Sequence, residues 1–192
     1  MIDRPVSPPD FQRTFEEVHA TLRPGELAPG VGVPLAVLSV ENQPLAIPNR
    51  VYVDPALLWS LVERSEGLAR SMALCLGTRH WDGHVREACV RRLLPSRDRW
   101  TAAFIVCLLG EYVIEIIDFI DEVFDQLDVD ALAAFAHANP AFMATTRRRA
   151  TSYWHDRYRH RFPDRRAYPG LALLDRIESA QVLFRKKLAR ER

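Results

Sequence analysis

Three groups of side chains have types and spacings suited to chemistry. Glu111, Glu115, Asp118, Glu122 and Asp125 follow one another at intervals of four, three, four and three residues. On a helix turning about 100° per residue, those five carboxylates form one stripe. Eight acids and no base stand between residues 111 and 130. Like charges four apart repel by roughly 0.2–0.5 kcal/mol per pair, and a solvated face usually interleaves lysines. The stripe reads as a solvated face, as a surface for a basic partner, or as a carboxylate metal site. The last reading lacks the Glu-x-x-His motif of helical carboxylate centres.

The second group is basic. Residues 147–166 hold Arg147, Arg148, Arg149, Arg157, Arg159, Arg161, Arg165 and Arg166 against Asp156 and Asp164, interleaved with Tyr153, Trp154, Tyr158 and Phe162. Every base is arginine, which favours forked or stacked contacts over simple solubility. On a helical wheel Arg147, Arg157 and Arg161 fall within the apolar arc of Phe142, Met143, Ala150, Tyr153, Trp154 and Tyr158. Arginines placed there need carboxylates or carbonyls if the helix packs. The segment therefore docks on the chain's own acids, meets a protein partner, or binds nucleic acid with arginines on phosphates and aromatics on bases. Tyr153 and Trp154 read as core residues.

The third group is Cys75-x4-His80-x3-His84-x4-Cys89. Zinc takes such ligands, but the spacing fits no standard finger, and both cysteines lie on core faces. No metal and no cofactor is assigned. There is no Gly-x-Ser-x-Gly elbow, Walker loop or Gly-x-Gly-x-x-Gly. His155 and His160 stand near acids and Tyr158, a juxtaposition that a charge-dense helix produces by chance. No catalytic residue is assigned.

The elements that carry these groups are helical. Eight of the thirteen prolines lie in residues 1–50, which forbids long helices there. Phe11 to Leu22 allows one short helix capped by Asp10. Val33–Val40 and Pro44–Ile47 suggest a hairpin around Glu41-Asn42-Gln43, and Val51-Tyr52-Val53 a short strand. Asp54-Pro55 then opens a series of helices. Breaks are expected at Gly67, Gly77, Pro95, Gly110 and Asn139-Pro140, with Ser96 as a cap. One helix is expected over 111–127, one from Phe142 to about Arg159, and one from Leu171 to about Arg190.

The segment from Asp82 to Leu93, with Val85-Arg86 and small and apolar positions between, resembles the second helix of a HEAT repeat. The resemblance implies that Asp82 caps the turn and Arg86 ties neighbouring repeats together. A fainter copy spans Gly110 to Ile120, with Ile114 where the arginine belongs. The fold class this implies is all-α, with stacked antiparallel helix pairs of the HEAT or armadillo kind. A proline-rich segment, 1–53, packs on or caps a helical domain, 54–192.

Composition agrees with a globular chain of 192 residues, 48% hydrophobic and 27% charged. The net charge of +1 conceals a split. Residues 1–142 carry 12 Lys+Arg against 20 Asp+Glu, and residues 143–192 carry 14 against 5. No run of about 18 apolar residues exists, so no membrane span is expected. The N-terminus lacks a signal-peptide pattern, and three apolar-flanked cysteines, Cys75, Cys89 and Cys107, suit a reducing cytoplasm. The expected function is binding another macromolecule, a protein first. The contact residues are the five acids of the stripe together with Arg147, Arg148, Arg149, Arg157, Arg159 and Arg161. Asp82, Arg86 and Trp154 are expected to be structural. A nucleic-acid-binding domain is the second reading, and an enzyme with a cleft between helices the third.

Overall fold

A computed structural model describes residues 8–21, 34–94 and 98–190 of the chain. The fold is mainly helical. Its helices are α1 (Pro8–Thr21), α2 (Pro55–Arg64), α3 (Gly67–Gly77), α4 (Gly83–Leu93), α5 (Thr101–Leu109), α6 (Ile114–Val123), α7 (Val129–Ala138), α8 (Pro140–Tyr153) and α9 (Pro169–Arg190). The strands β1 (Pro34–Val40) and β2 (Gln43–Pro48) pair as a hairpin. Glu41 and Asn42 form its two-residue turn, both at positive φ, as a tight hairpin matching the strand twist requires. Val51 makes a single parallel bridge to His80 rather than the short strand expected over 51–53. Asp10 lies inside α1 instead of capping it, because the helix begins two residues earlier at Pro8. Leu22, Val33, Pro95 and Ser96 lie outside the described residues.

Two compact units emerge. The first holds α1, β2, α2, α3 and α4, with α1, α2 and α4 packed on α3. Asp54 accepts from the Ala56 N–H and Pro55 fills the first turn of α2, as the sequence indicated. Gly67, at φ +51, opens α3 after the break. Asp82 caps α4 by accepting from the His84 N–H.

The loop joining α3 and α4 is buried and polar. Arg79 is 2% exposed and donates Nε to Pro48 O at 3.2 Å and Nη2 to Asn49 O at 2.7 Å. His80 accepts the Asp82 N–H on Nδ1, which leaves Nε2 to donate to Val53 O at 2.9 Å. Arg86, 1% exposed, donates Nη1 to His80 O at 2.8 Å and Trp81 O at 3.0 Å. These bonds satisfy carbonyls that burial would otherwise strand. They also tie Arg86 to the loop that leads into its own helix.

The second unit holds α5 to α9 and the hairpin tip, residues 38–42. All nine residues of α5 are buried, and α6, α7, α8 and α9 pack around it. Its sequence, TAAFIVCLL, is apolar all round, as a central helix must be. Asn139, at the junction of α7 and α8, does more than stop a helix. Its side-chain amide accepts the Ser39 N–H and donates to Ser39 O, both at 2.8 Å, and also donates to Phe135 O. The amide thus stands in for a neighbouring strand at the edge of β1.

Two helices differ from expectation. The single helix over 111–127 is confined to Ile114–Val123, followed by a 3-10 turn over Phe124–Gln126. Gly110 ends α5, and Glu111 to Val113 form a non-helical turn before α6 starts at Ile114. The helix from Phe142 to Arg159 begins earlier, at Pro140, and turns π-helical over Trp154–Tyr158.

Candidate interaction surface

The acidic stripe and the arginine segment both lie in the second unit. Shortening α6 breaks the stripe. Glu111 is buried in the turn before α6, so it does not share a face with the others. Asp118 receives Arg161 Nη2 at 2.9 Å. Asp121 and Asp125 both meet Arg176, whose guanidinium also lies 3.9 Å from the centroid of the Phe124 ring. Glu115 and Glu122 are exposed and make no ion pair among the described residues.

The arginines divide into two sets. Arg147, which the wheel placed in the apolar arc, reaches Asp175 at 2.7 Å and Glu178 at 2.9 Å on α9. Burial disfavours its charge, yet the hydrogen bonds to Glu178 and Asp175 prevail and raise its pKa. Arg157 sits 5.3 Å from the centroid of the Tyr112 ring. These contacts and the Arg161–Asp118 pair are what arginines in an apolar arc needed. Arg148, Arg149, Arg159, Arg165 and Arg166 are the other set. All are exposed, and none makes an ion pair among the described residues. Arg148 donates only to the Thr145 hydroxyl among the described residues, at 2.8 Å.

The interleaved aromatics engage neighbouring residues but stay half-buried, so Tyr153 and Trp154 are not the core residues expected of them. Trp154 donates Nε1 to Phe162 O at 2.9 Å. Tyr158 stacks on Tyr168 with ring centroids 5.6 Å apart and an angle of 16°, and its hydroxyl donates to Tyr112 O. Tyr153 packs against Tyr112, and Phe162 meets the edge of Tyr168. Tyr168 is fully buried, and Gly170 makes room for it: a Cβ there would fall 2.8 Å from its ring. Burial, followed by the Glu115 charge, raises the Tyr158 pKa. Burial raises that of Tyr168 as well. The π-helical turn is where this stack forms.

Sequence reasoning missed Arg176, Asp121, Asp175 and Glu178 as ion-pair members. Arg176 stood outside the dense arginine segment, although it is the only base in the first half of α9. A further feature was also missed. A cleft of about 480 Å³ opens between the hairpin tip (Ser39 to Asn42), Arg99, α7 (Ala131, Phe135, His137) and the end of α9 (Phe184, Leu188).

The Cys75, His80, His84 and Cys89 set does not converge. His80 is committed to backbone groups, His84 is exposed, and both cysteines are buried. Burial pushes the Cys89 thiol up to about 12, against a smaller opposing effect of Arg92. Among the described residues no three His, Cys, Asp or Glu side chains are placed to hold a metal ion. Nor is any described helix long and apolar enough to cross a membrane. No protein-family model, curated protein or solved structure matches the chain.

Proposed function

We propose that the chain is a macromolecular-interaction protein that binds a protein partner through the exposed arginines of α8 and the turn beyond it. One observation carries this reading. Arg147, Arg161 and Arg176 are consumed by carboxylates of the same unit, while Arg148, Arg149, Arg159, Arg165 and Arg166 stand in solvent without one. Five exposed arginines without carboxylate partners, on elements of a packed scaffold, offer cationic side chains that a partner's anions would complement. Arginine's planar fork suits carboxylates presented by a protein. HEAT-like stacking of α3 and α4, with Asp82 and Arg86 as its structural residues, belongs to the same reading, since such helix pairs are scaffolds.

The arrangement of the aromatics favours protein over single-stranded nucleic acid. A base-stacking platform presents open rings along a basic groove. Here Tyr153, Trp154, Tyr158 and Phe162 are engaged with other residues of the unit. The test is capture from the native source, with and without nuclease, by wild-type protein and by Arg148→Glu with Arg159→Glu. Partners that survive nuclease and disappear with the double variant support the proposal. Tight binding of labelled oligonucleotides that falls steeply with salt would replace it with the nucleic-acid reading.

A further inference from the structure

We infer that Tyr52 and Trp81 of the first unit form, with Asp54 and Asp82, a docking site for an arginine side chain of a protein partner. The single parallel bridge sets the geometry. Val51 gives its N–H to Arg79 O at 2.9 Å and accepts the Trp81 N–H at 3.1 Å, which places it opposite His80. Val51 and His80 turn inward and are 6% and 0% exposed. Extended chain alternates its faces, so Tyr52 and Trp81, one position further along, turn outward together. They are 58% and 53% exposed. Val53 is buried again, and Asp54 is exposed on the Tyr52 side.

The backbone beneath the two rings is tied down from inside. Arg79 holds the carbonyls of Pro48 and Asn49, His80 that of Val53, and Arg86 those of His80 and Trp81. A partner therefore does not have to order either segment. The rings themselves are little used by the fold. Among the described residues the Trp81 ring makes one tilted contact, with His80 at 5.6 Å, and the Tyr52 side chain makes no ring contact or hydrogen bond. Asp54 and Asp82 each spend Oδ1 on a helix cap and make no ion pair among the described residues. Arg50, the nearest base in sequence, turns Nη1 to Asn49 O at 3.0 Å, and His84 is exposed at the start of α4. Outward rings beside open carboxylates attract a cation twice over, through the ring faces and through the charge. Arginine fits best, because its plane stacks on a ring while its fork reaches a carboxylate. A neutral sugar or base would use the rings without the charge.

Fluorescence anisotropy with the full chain tests this. The probe is a pool of short labelled peptides, random in uncharged residues around a fixed central arginine. A second pool carries citrulline there, which keeps the shape and removes the charge. The arginine pool is expected to bind at least about tenfold more tightly than the citrulline pool. Trp81→Ala and Tyr52→Ala should each weaken it by about fivefold or more. Asp54→Asn with Asp82→Asn should weaken it by about tenfold, although asparagine preserves both helix caps. Unchanged melting curves confirm that these variants fold. Glu115→Gln with Glu122→Gln should leave the binding intact, which separates the site from the acidic helix. Equal binding of the two pools overturns the inference. So does wild-type affinity in the aromatic or aspartate variants, or loss of binding in the Glu115/Glu122 variant. Trp81-dependent binding of neutral oligosaccharides, with no preference for the arginine pool, would give the site to sugars and overturn it as well.

Discussion

Arg79 and Arg86 of the first unit are almost wholly buried and give their N–H groups to backbone carbonyls. In the second unit Arg147, Arg161 and Arg176 lie at the surface on carboxylates, and Arg148, Arg149, Arg159, Arg165 and Arg166 lie there without them. The same side chain serves three purposes according to its surroundings. A buried guanidinium that satisfies carbonyls is fixed by the cost of leaving them unpaired. A surface pair on carboxylates adds little stability, because water already solvates both charges. An exposed arginine without a carboxylate contributes least to the fold and is the most available to a partner.

This ordering can be broken by measurement. Arg86→Ala strands the buried His80 carbonyl and frees the part-buried one of Trp81, and should cost about 2–5 kcal/mol in urea unfolding. Arg86→Lys restores the charge without the fork and should recover less than half of that. A loss below about 1 kcal/mol for the alanine variant would remove the distinction between the two units. Asn139→Ala comes next. It leaves the Ser39 N–H and C=O without their amide and should cost about 2–3 kcal/mol.

Alkaline pH adds a directional test. The Cys89 thiol is held up to about 12 in the folded chain, from an ordinary value of 9.0. Below pH 9 both states keep the proton, and the contribution to stability is constant. As pH rises from 9 towards 12 only the unfolded chain loses it, so stability falls. Denaturant midpoints of the wild type should therefore decline relative to Cys89→Ala across that window. Parallel curves for the two proteins would show that the thiol is not shielded. The smallest effect is expected at the surface. A double-mutant cycle on Asp118→Ala and Arg161→Ala should return a coupling below about 1 kcal/mol.

Much of the fold was legible because it rests on local rules. Asp54-Pro55, Gly67, Gly110 and Asn139-Pro140 each mark an element boundary, and Glu41-Asn42 marks the hairpin turn. Where a boundary depended on tertiary geometry, the reading overshot. Nothing local in Glu111 to Val113 forbids helix, but the chain turns there between α5 and α6. The candidate surface was half legible. The apolar arc showed that Arg147, Arg157 and Arg161 needed partners. It could not show that those of Arg147 lie on α9, 28 and 31 residues away. The cleft was invisible for the same reason: its wall combines a hairpin tip with the ends of two helices distant in sequence.

The central claim is that the unpaired arginines serve a partner and not the fold. Thermal melting and partner capture, run side by side on Arg148→Glu with Arg159→Glu, test it most directly. A melting curve within about 2–4 °C of wild type is expected, since each of the two exposed positions changes stability by no more than roughly 0.5 kcal/mol. Nuclease-resistant partner binding is expected to be lost. A marked fall in melting temperature, or unchanged partner binding, would contradict the account.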